Sequence, residues 1–417
     1  MRIALVPAVA ASALLLAACG SGGSSDHADA GRSDAGAGAT VQPSEQPGDG
    51  KGGDAKDAKN TDQQAAAKVT VDPVAGATGV DPGKKVTVSA SDGTLRSVRI
   101  SDGDGGAVAG ALSADGRTWT SSGTMVPGTT YTVDVAARSA KGKDQTATST
   151  FTTKQATVNK VTMKPSDGGT FGVAQPVSIV FDRPVADKAA VERNLHVTAS
   201  VPTEGSWGWI KDASGKDRVD WRPKDYWRPG TRVTLDADLK GVKSGTNTYF
   251  ARDYQTSFTV GSGRVVEVDV PGHKVDVIEN GQVVRSLPMS AGSDQYPTRG
   301  GTHVILSRNA KETLDSQTVG LGDEYKLPDV PWVVHFTSSG TFFHSAAWNT
   351  ANIGRNNTSH GCVGMSVADA KWFYDRVQVG DPVVVKGSAS TTVTDPGNGF
   401  GAWQLSYAQW QAKSALK

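Results

Sequence analysis

The segment "HSAAWNTANIGRNNTSHGCVGM" (344–365) gathers the side chains most able to do nucleophilic chemistry: His344, His360 and Cys362. A thiolate is the nucleophile, yet an unperturbed thiol, with a pKa near about 8.5, is mostly protonated at neutral pH. A catalytic Cys therefore needs an imidazole to take its proton or hold an ion pair with it, and a third group to fix that imidazole. Both histidines qualify. His344 lies eighteen residues upstream of Cys362, at the end of a predicted strand, "GTFFHS". His360 lies two residues upstream, where an extended chain sets both side chains on one face. Gly361 lets backbone N–H groups approach a substrate oxygen, as an oxyanion site demands. The same three side chains could instead supply zinc ligands, although no carboxylate base stands beside the motif. A papain-like thiol hydrolase needs Cys before His, the reverse of this order.

The chain has two cysteines, Cys19 and Cys362. It opens "MRIALVPAVAASALLLAACGSGG", in which one Arg precedes an apolar run too short for a membrane helix of about 20 residues. A charged start, a short apolar core and small residues at its end read as a secretory signal over 1–18. "LAAC" (16–19) resembles a bacterial lipobox, which implies cleavage before Cys19 and lipidation of its thiol. Cys362 is then unpaired in an exported protein. That marks a reactive thiol or an intermolecular pair, with a buried inert Cys as the plain alternative. Lys and Arg (43) balance Asp and Glu (42), so the basic surplus of a nucleic-acid binder is missing.

These residues need a scaffold, and the pattern is mainly β. Residues 19–67, poor in large apolar side chains, read as a flexible tether. "VTVDPVAGATGVDPGKKVTVSA" (69–90) resembles "VTMKPSDGGTFGVAQPVSIVFD" (161–182), and "PGTTYTVDV" (127–135) resembles "PGTRVTLDA" (229–237). The repeat implies two β-sandwich domains, 68–154 and 155–262. The second holds Trp207, Trp209, Trp221 and Trp227, which suit a core or domain interface, or else a sugar-binding face. From 263 to 387 the strands alternate more cleanly, at 264–270, 274–279, 282–287, 302–307, 332–336, 341–345 and 382–386. Asn280-Gly281 predicts a type I′ hairpin turn. One helix is predicted over 367–378, capped by Ser366 with Asp369 completing a capping box, its apolar face formed by Val367, Ala370, Tyr374 and Val377. Residues 388–417 form a Trp-containing extension.

The His, the spacer and the Ser-His-Gly-Cys resemble the signature of the L,D-transpeptidase (YkuD-type) catalytic domain, and "YPTRGGTHVI" (296–305) is similar to that family's Pro-Thr-Pro-x-Gly segment. The match covers roughly 263–387. The paired β domains and "GAWQLSYAQW" (401–410) resemble the actinobacterial lipoprotein form with two immunoglobulin-like domains. The resemblance implies a mainly β fold and no metal or organic cofactor. It implies Cys362 as nucleophile, His344 as base oriented by the Ser345 carbonyl, and His360 in support. Gly361 and Cys362 would offer amides to the oxyanion, with Gly340 and Ser359 lining the substrate pocket. The implied reaction joins a donor tetrapeptide stem of peptidoglycan to an acceptor amine, giving a 3→3 cross-link through a thioester that carbapenems would also form. With water as acceptor the enzyme is an L,D-carboxypeptidase, and without catalysis it is a wall-binding module. The implied location is extracytoplasmic, lipid-anchored to the cell membrane through Cys19 and facing the wall. One position departs from the family: Gly364 stands where an Asn is common.

Overall fold

The computed structural model describes residues 66–390 and 395–416. The signal segment, Cys19 and nearly all of the tether lie outside the described residues. Period-two alternation builds the first sandwich. Thr130–Ser139 buries Tyr131, Val133, Val135 and Ala137 and turns the residues between them outward. It pairs with Gly93–Asp102 and Asp144–Thr152. A four-stranded sheet (Lys68–Asp72, Thr87–Ser91, Thr118–Ser121, Gly110–Leu112) supplies the other half of a core that includes Trp119, Tyr131 and Phe151.

The second sandwich has two four-stranded sheets. One orders Gly169–Phe171, Tyr254–Val260, Arg232–Ala237 and Leu195–Ala199; the other orders Gly205–Lys211, Asp217–Pro223, Val177–Phe181 and Val161–Lys164. All four tryptophans expected here are interior, each at most 9% exposed. Trp209 stacks on Phe181 and donates its indole N–H to Glu192 (2.8 Å). Trp221 stacks on Trp227, whose N–H reaches the Gln175 carbonyl (2.8 Å). These faces are core, not sugar platforms.

The third domain is built on a nine-stranded sheet, with strands numbered here in chain order: β1 Arg264–Asp269, β2 Lys274–Glu279, β3 Gln282–Ser290, β4 Gly301–Val304, β5 Ser307–Asp315, β6 Lys326–His335, β7 Phe342–Ser345, β8 Val363–Met365 and β9 Pro382–Lys386. Their spatial order is β4-β9-β1-β2-β3-β8-β7-β6-β5. Asn280 and Gly281 both have positive φ (50° and 80°), as the type I′ turn joining β2 to β3 requires. The antiparallel β5–β6 hairpin, whose first strand is mostly polar, is longer than the sequence suggested. The helix spans Val367–Arg376. Ser366 accepts from the Asp369 N–H (3.1 Å) but donates to its carboxylate (2.7 Å), so the reciprocal half of the expected box is a side-chain contact. Its buried face is Ala370, Phe373 and the flanking Val377; Val367 is exposed and Tyr374 half-buried, which corrects the predicted stripe.

The C-terminal extension is a strap across two domains. Trp410 is fully buried against the second sandwich, and its indole N–H donates to the Ser206 carbonyl (2.9 Å). A Cβ on Gly208 would lie 2.6 Å from that indole, which is why the strand carries Gly there. Arg222 lies over the Trp403 ring (4.5 Å), and Gln404 donates to the Thr302 carbonyl of β4 (2.7 Å). Domain two also pairs directly with the third: the N–H groups of Gly172 and Ala174 donate to the carbonyls of Val379 (2.8 Å) and Gly380 (2.9 Å).

Candidate active site

Two adjacent strands carry the reactive pair. β7 and β8 are parallel, with Phe343 opposite Val363, His344 opposite Gly364 and Ser345 opposite Met365. Cys362 immediately precedes β8. Side chains two residues apart share a face, so Cys362 and Gly364 lie on the same face as His344. The eighteen-residue spacing is thus the length of a crossover between neighbouring parallel strands. The crossover is tied down by a run of amides: Asn356 Nδ2 donates to Asn352 Oδ1 (3.1 Å), Asn352 Nδ2 to Asn349 Oδ1 (2.7 Å), and Asn349 Nδ2 to Thr358 Oγ1 (3.0 Å).

His344 and Cys362 open onto a cavity of about 420 Å³, with Tyr325 and Leu327 of the β5–β6 hairpin on one side and Trp348 and Asn352 on the other. Trp348 stacks nearly parallel on the His344 ring (5.6 Å between centroids, 13°). His344 Nδ1 lies 2.8 Å from the Ser345 carbonyl oxygen. A carbonyl only accepts, so Nδ1 carries the proton and Nε2 is the basic nitrogen. The thiol of Cys362 donates to the Gly340 carbonyl (3.4 Å).

Burial sets the electrostatics. It pushes the Cys362 thiol up to about 12; the Phe342 N–H draws it back and the Glu312 carboxylate adds to the rise. Burial also holds the His344 imidazolium below its ordinary range, against the Ser345 carbonyl, which favours the charged form. Both shifts disfavour charge, so the resting pair is a neutral thiol beside a neutral imidazole. A preformed thiolate–imidazolium pair is the arrangement this site opposes.

The remaining candidates separate. His360 lines the cavity, but its Nε2 is 2.6 Å from Glu324 Oε2, and its ring lies between Tyr296 and Tyr325. Tyr296 donates to the same carboxylate (2.7 Å), so His360 closes one side of the site. Ser359 accepts from the Gly361 N–H (3.1 Å) and donates to the Cys362 carbonyl (2.6 Å). The Gly361 amide is therefore engaged, whereas the Cys362 N–H has no partner among the described residues. Gly361 has φ +116°, a backbone that L side chains rarely adopt. Gly340 lies behind the thiol, lining a smaller cavity of about 190 Å³ with Glu312, His335 and Phe342. A Cβ on Gly364 would lie 2.9 Å from Ala346 Cβ, close enough to force a shift, and in ordinary contact with His344 Cε1 at 3.8 Å. Among the described residues no three His, Cys, Asp or Glu side chains converge as a metal site would require. Sequence reasoning missed Glu324, Tyr325 and Trp348. Only Trp348 carried a signal, an aromatic four residues beyond the candidate base.

The L,D-transpeptidase catalytic-domain model matches residues 263–385, and a bacterial Ig domain model matches 77–243. The chain is 35% identical over 353 residues to L,D-transpeptidase 2 of Mycobacterium tuberculosis, covering 84% of this chain and 85% of that protein. It is 33% identical to L,D-transpeptidase 5 of the same species, over 84% of this chain and 78% of that one. A solved L,D-transpeptidase in complex with imipenem is 33% identical, covering 54% of this chain and 98% of its own, at a TM-score of 0.47.

Proposed function

Since this chain belongs to the L,D-transpeptidase family, whose members cross-link peptidoglycan, we propose that Cys362 forms a thioester with a tetrapeptide stem and passes the acyl group to a second stem. The placing of Cys362 and His344 on one face of adjacent strands, both lining one cavity and with Nδ1 pinned by Ser345, is the observation that carries this reading. Sγ attacks the carbonyl at the L-centre of diaminopimelate while its proton passes to His344 Nε2. The negative charge on the substrate oxygen is met by the Cys362 N–H. Collapse breaks the amide bond to D-Ala, and His344 returns the proton to the leaving amine. The side-chain amine of an acceptor stem then attacks the thioester, giving the 3→3 link and regenerating the thiol. A carbapenem acylates the same sulfur. Because thiolate is scarce at rest, proton transfer must accompany attack, and that is the work of a general base.

In this reading His360 and Glu324 brace the cavity wall, and Ser359 fixes the turn that presents Cys362. Cys19 holds the lipid anchor outside the cytoplasm, and the sandwiches carry the catalytic domain toward the wall. Mass spectrometry of the protein with a disaccharide tetrapeptide tests the reaction. A covalent adduct equal to the stem less D-Ala, followed by a cross-linked dimer, is expected. Release of the tripeptide alone would mean an L,D-carboxypeptidase, and no adduct on Cys362 would overturn the thioester.

A further inference from the structure

Asn398 lies in the C-terminal strap, outside the sheet that carries the site, and the reaction described above makes no use of it. Its Oδ1 accepts from the backbone N–H groups of Ser338 and Ser339 (2.8 and 3.0 Å). Its Nδ2 donates to Ser339 Oγ (2.8 Å), and the N–H of Gly399 donates to Ser338 Oγ (3.0 Å). The turn between β6 and β7 is thereby gripped at four polar atoms. The next residue in that turn is Gly340, with φ +89°, whose carbonyl receives the Cys362 thiol. A Cβ on Gly340 would meet Val319, so the turn is confined on its other side as well.

The grip is itself anchored. Asn398 donates its N–H to the Asp395 carbonyl (2.8 Å). The Gly399 carbonyl accepts from Arg218 of the second sandwich (2.8 Å), a buried guanidinium paired with Asp220. Hydrogen bonds therefore run from the sandwich core through the strap to Ser338 and Ser339, and the backbone carries the hold on to Gly340, whose carbonyl accepts the thiol proton. Only an amide side chain accepts two N–H groups on its oxygen while donating from its nitrogen. A two-strand connection without such a hold belongs to the more mobile class of segment.

We propose that Asn398 is a positioning residue for Cys362. It fixes the 338–340 turn, and through the Gly340 carbonyl it sets the direction of the thiol. The proposal rests on Cys362 being the nucleophile. Misplacing a reacting group by about 1 Å can cost about a hundredfold in rate, and a partly loosened turn costs a fraction of that.

The test compares the full chain with Asn398→Leu, which has no acceptor, and Asn398→Asp, which keeps the acceptor for both N–H groups. Acylation by imipenem is followed by intact mass, and thiol alkylation by iodoacetamide is followed across pH. Asn398→Leu should slow acylation by about tenfold, whereas Asn398→Asp should stay within about threefold of wild type. In Asn398→Leu the alkylation midpoint should also fall, because the thiol loses its acceptor and water reaches it. The titratable groups around the thiol, His344, His360 and Tyr325 in its cavity and Glu312 and His335 behind it, are untouched by either change. A thiol that ionises more readily yet acylates more slowly is the signature of misdirection, which a loss of stability alone would not produce. If Asn398→Leu does not fold, Ser339→Ala removes one bond and leaves the strap intact; a smaller slowing is then expected, and a wild-type rate would overturn the proposal. So would Asn398→Leu acylating at the wild-type rate, or both Asn398 variants slowing equally with unchanged alkylation profiles. A wild-type chain that imipenem does not modify would refute Cys362 as nucleophile, and this proposal with it.

Discussion

The interior of the second sandwich and the cavity of the third domain are both lined with aromatic side chains and differ in what those side chains enclose. In the sandwich, the indole N–H groups of Trp209 and Trp227 are both bonded inside the protein. In the cavity, His344 and Cys362 are equally buried, at 5% and 7% exposed. Yet His344 Nε2 and the Cys362 N–H have no partner among the described residues, and the indole covering them, Trp348, is 56% exposed. Burial does not separate core from site. Nor does an unmatched polar atom alone, since Gln175 Oε1 and Arg222 Nε of the sandwich are also buried without a partner; the site is set apart because His344 and Cys362 line one open cavity.

The largest expected effect on the cavity side is at Cys362. Cys362→Ala should abolish acylation by stem peptide and carbapenem while the melting temperature stays close to wild type; an adduct surviving on the variant would locate the nucleophile elsewhere. Next comes His344→Ala, which should slow acylation by about 10²–10⁴. His335, bonded to Glu312 (2.8 Å), and His303, bonded to the Arg299 and Gly300 carbonyls (3.1 Å each), should cost far less in rate when replaced by Ala. Equal losses at all three would mean fold damage, not catalysis.

The sandwich side should respond in stability instead. Trp209→Ala removes a stacked, bonded core indole and should cost about 3–5 kcal/mol of unfolding free energy, with the acylation rate of the folded fraction unchanged. Trp348→Ala should do the reverse, leaving stability within about 0.5 kcal/mol. It should also raise the acid limb of the acylation–pH profile, because water would then reach His344 and lift its depressed pKa. Loss of stability in Trp348→Ala with an unmoved profile would erase the distinction drawn between the two regions.

The smallest effects concern two buried groups with opposite pH signs. His303 is held at about 4 by burial, below its ordinary 6.5. The unfolded chain therefore binds the extra proton first, and stability drops as pH falls through that window. Asp381 is raised by burial from 3.8 to about 6, so the folded chain binds the proton first and stability rises as pH falls through nearly the same window. The two slopes oppose each other in the wild type. Denaturant unfolding between pH 6 and 4 should show stability rising with acid in His303→Gln and falling in Asp381→Asn. The same slope in both variants would show that one of these assignments has the wrong sign.

Much of the fold was legible because alternation is a local property. β2 and β9 fall at the ranges their patterns suggest, and the Asn280-Gly281 turn forms as its φ requirement dictates. The β5–β6 hairpin was largely illegible. Most of β5 is polar and half-exposed or more, with Leu314 its one buried residue, so no period-two stripe marks it. That hairpin nonetheless supplies Leu314, Tyr325 and Leu327 to the cavity. The helix was found but its face was misread, since Phe373 turns inward to meet Phe343 (4.5 Å between rings) and thereby decides which side is buried. The extension at 388–417 showed its tryptophans but not their destination, because a strap has no periodicity and its partners lie some two hundred residues away in the chain.

The sequence by itself determined which atoms can react. A single thiol after Cys19, two histidines at spacings of eighteen and two, and alternating strands around them follow from residue identity and short-range period alone. The tertiary structure alone decided how the two histidines are placed, since the β7–β8 pairing sets His344 on the face of Cys362 in the sheet while Glu324 pairs with His360. It decided that burial opposes charge on both groups, because desolvation depends on what packs around them and not on what precedes them in the chain. It also decided that the Gly361 amide is engaged and the Cys362 amide free, through a Ser359 hydroxyl whose direction is set by the folded turn.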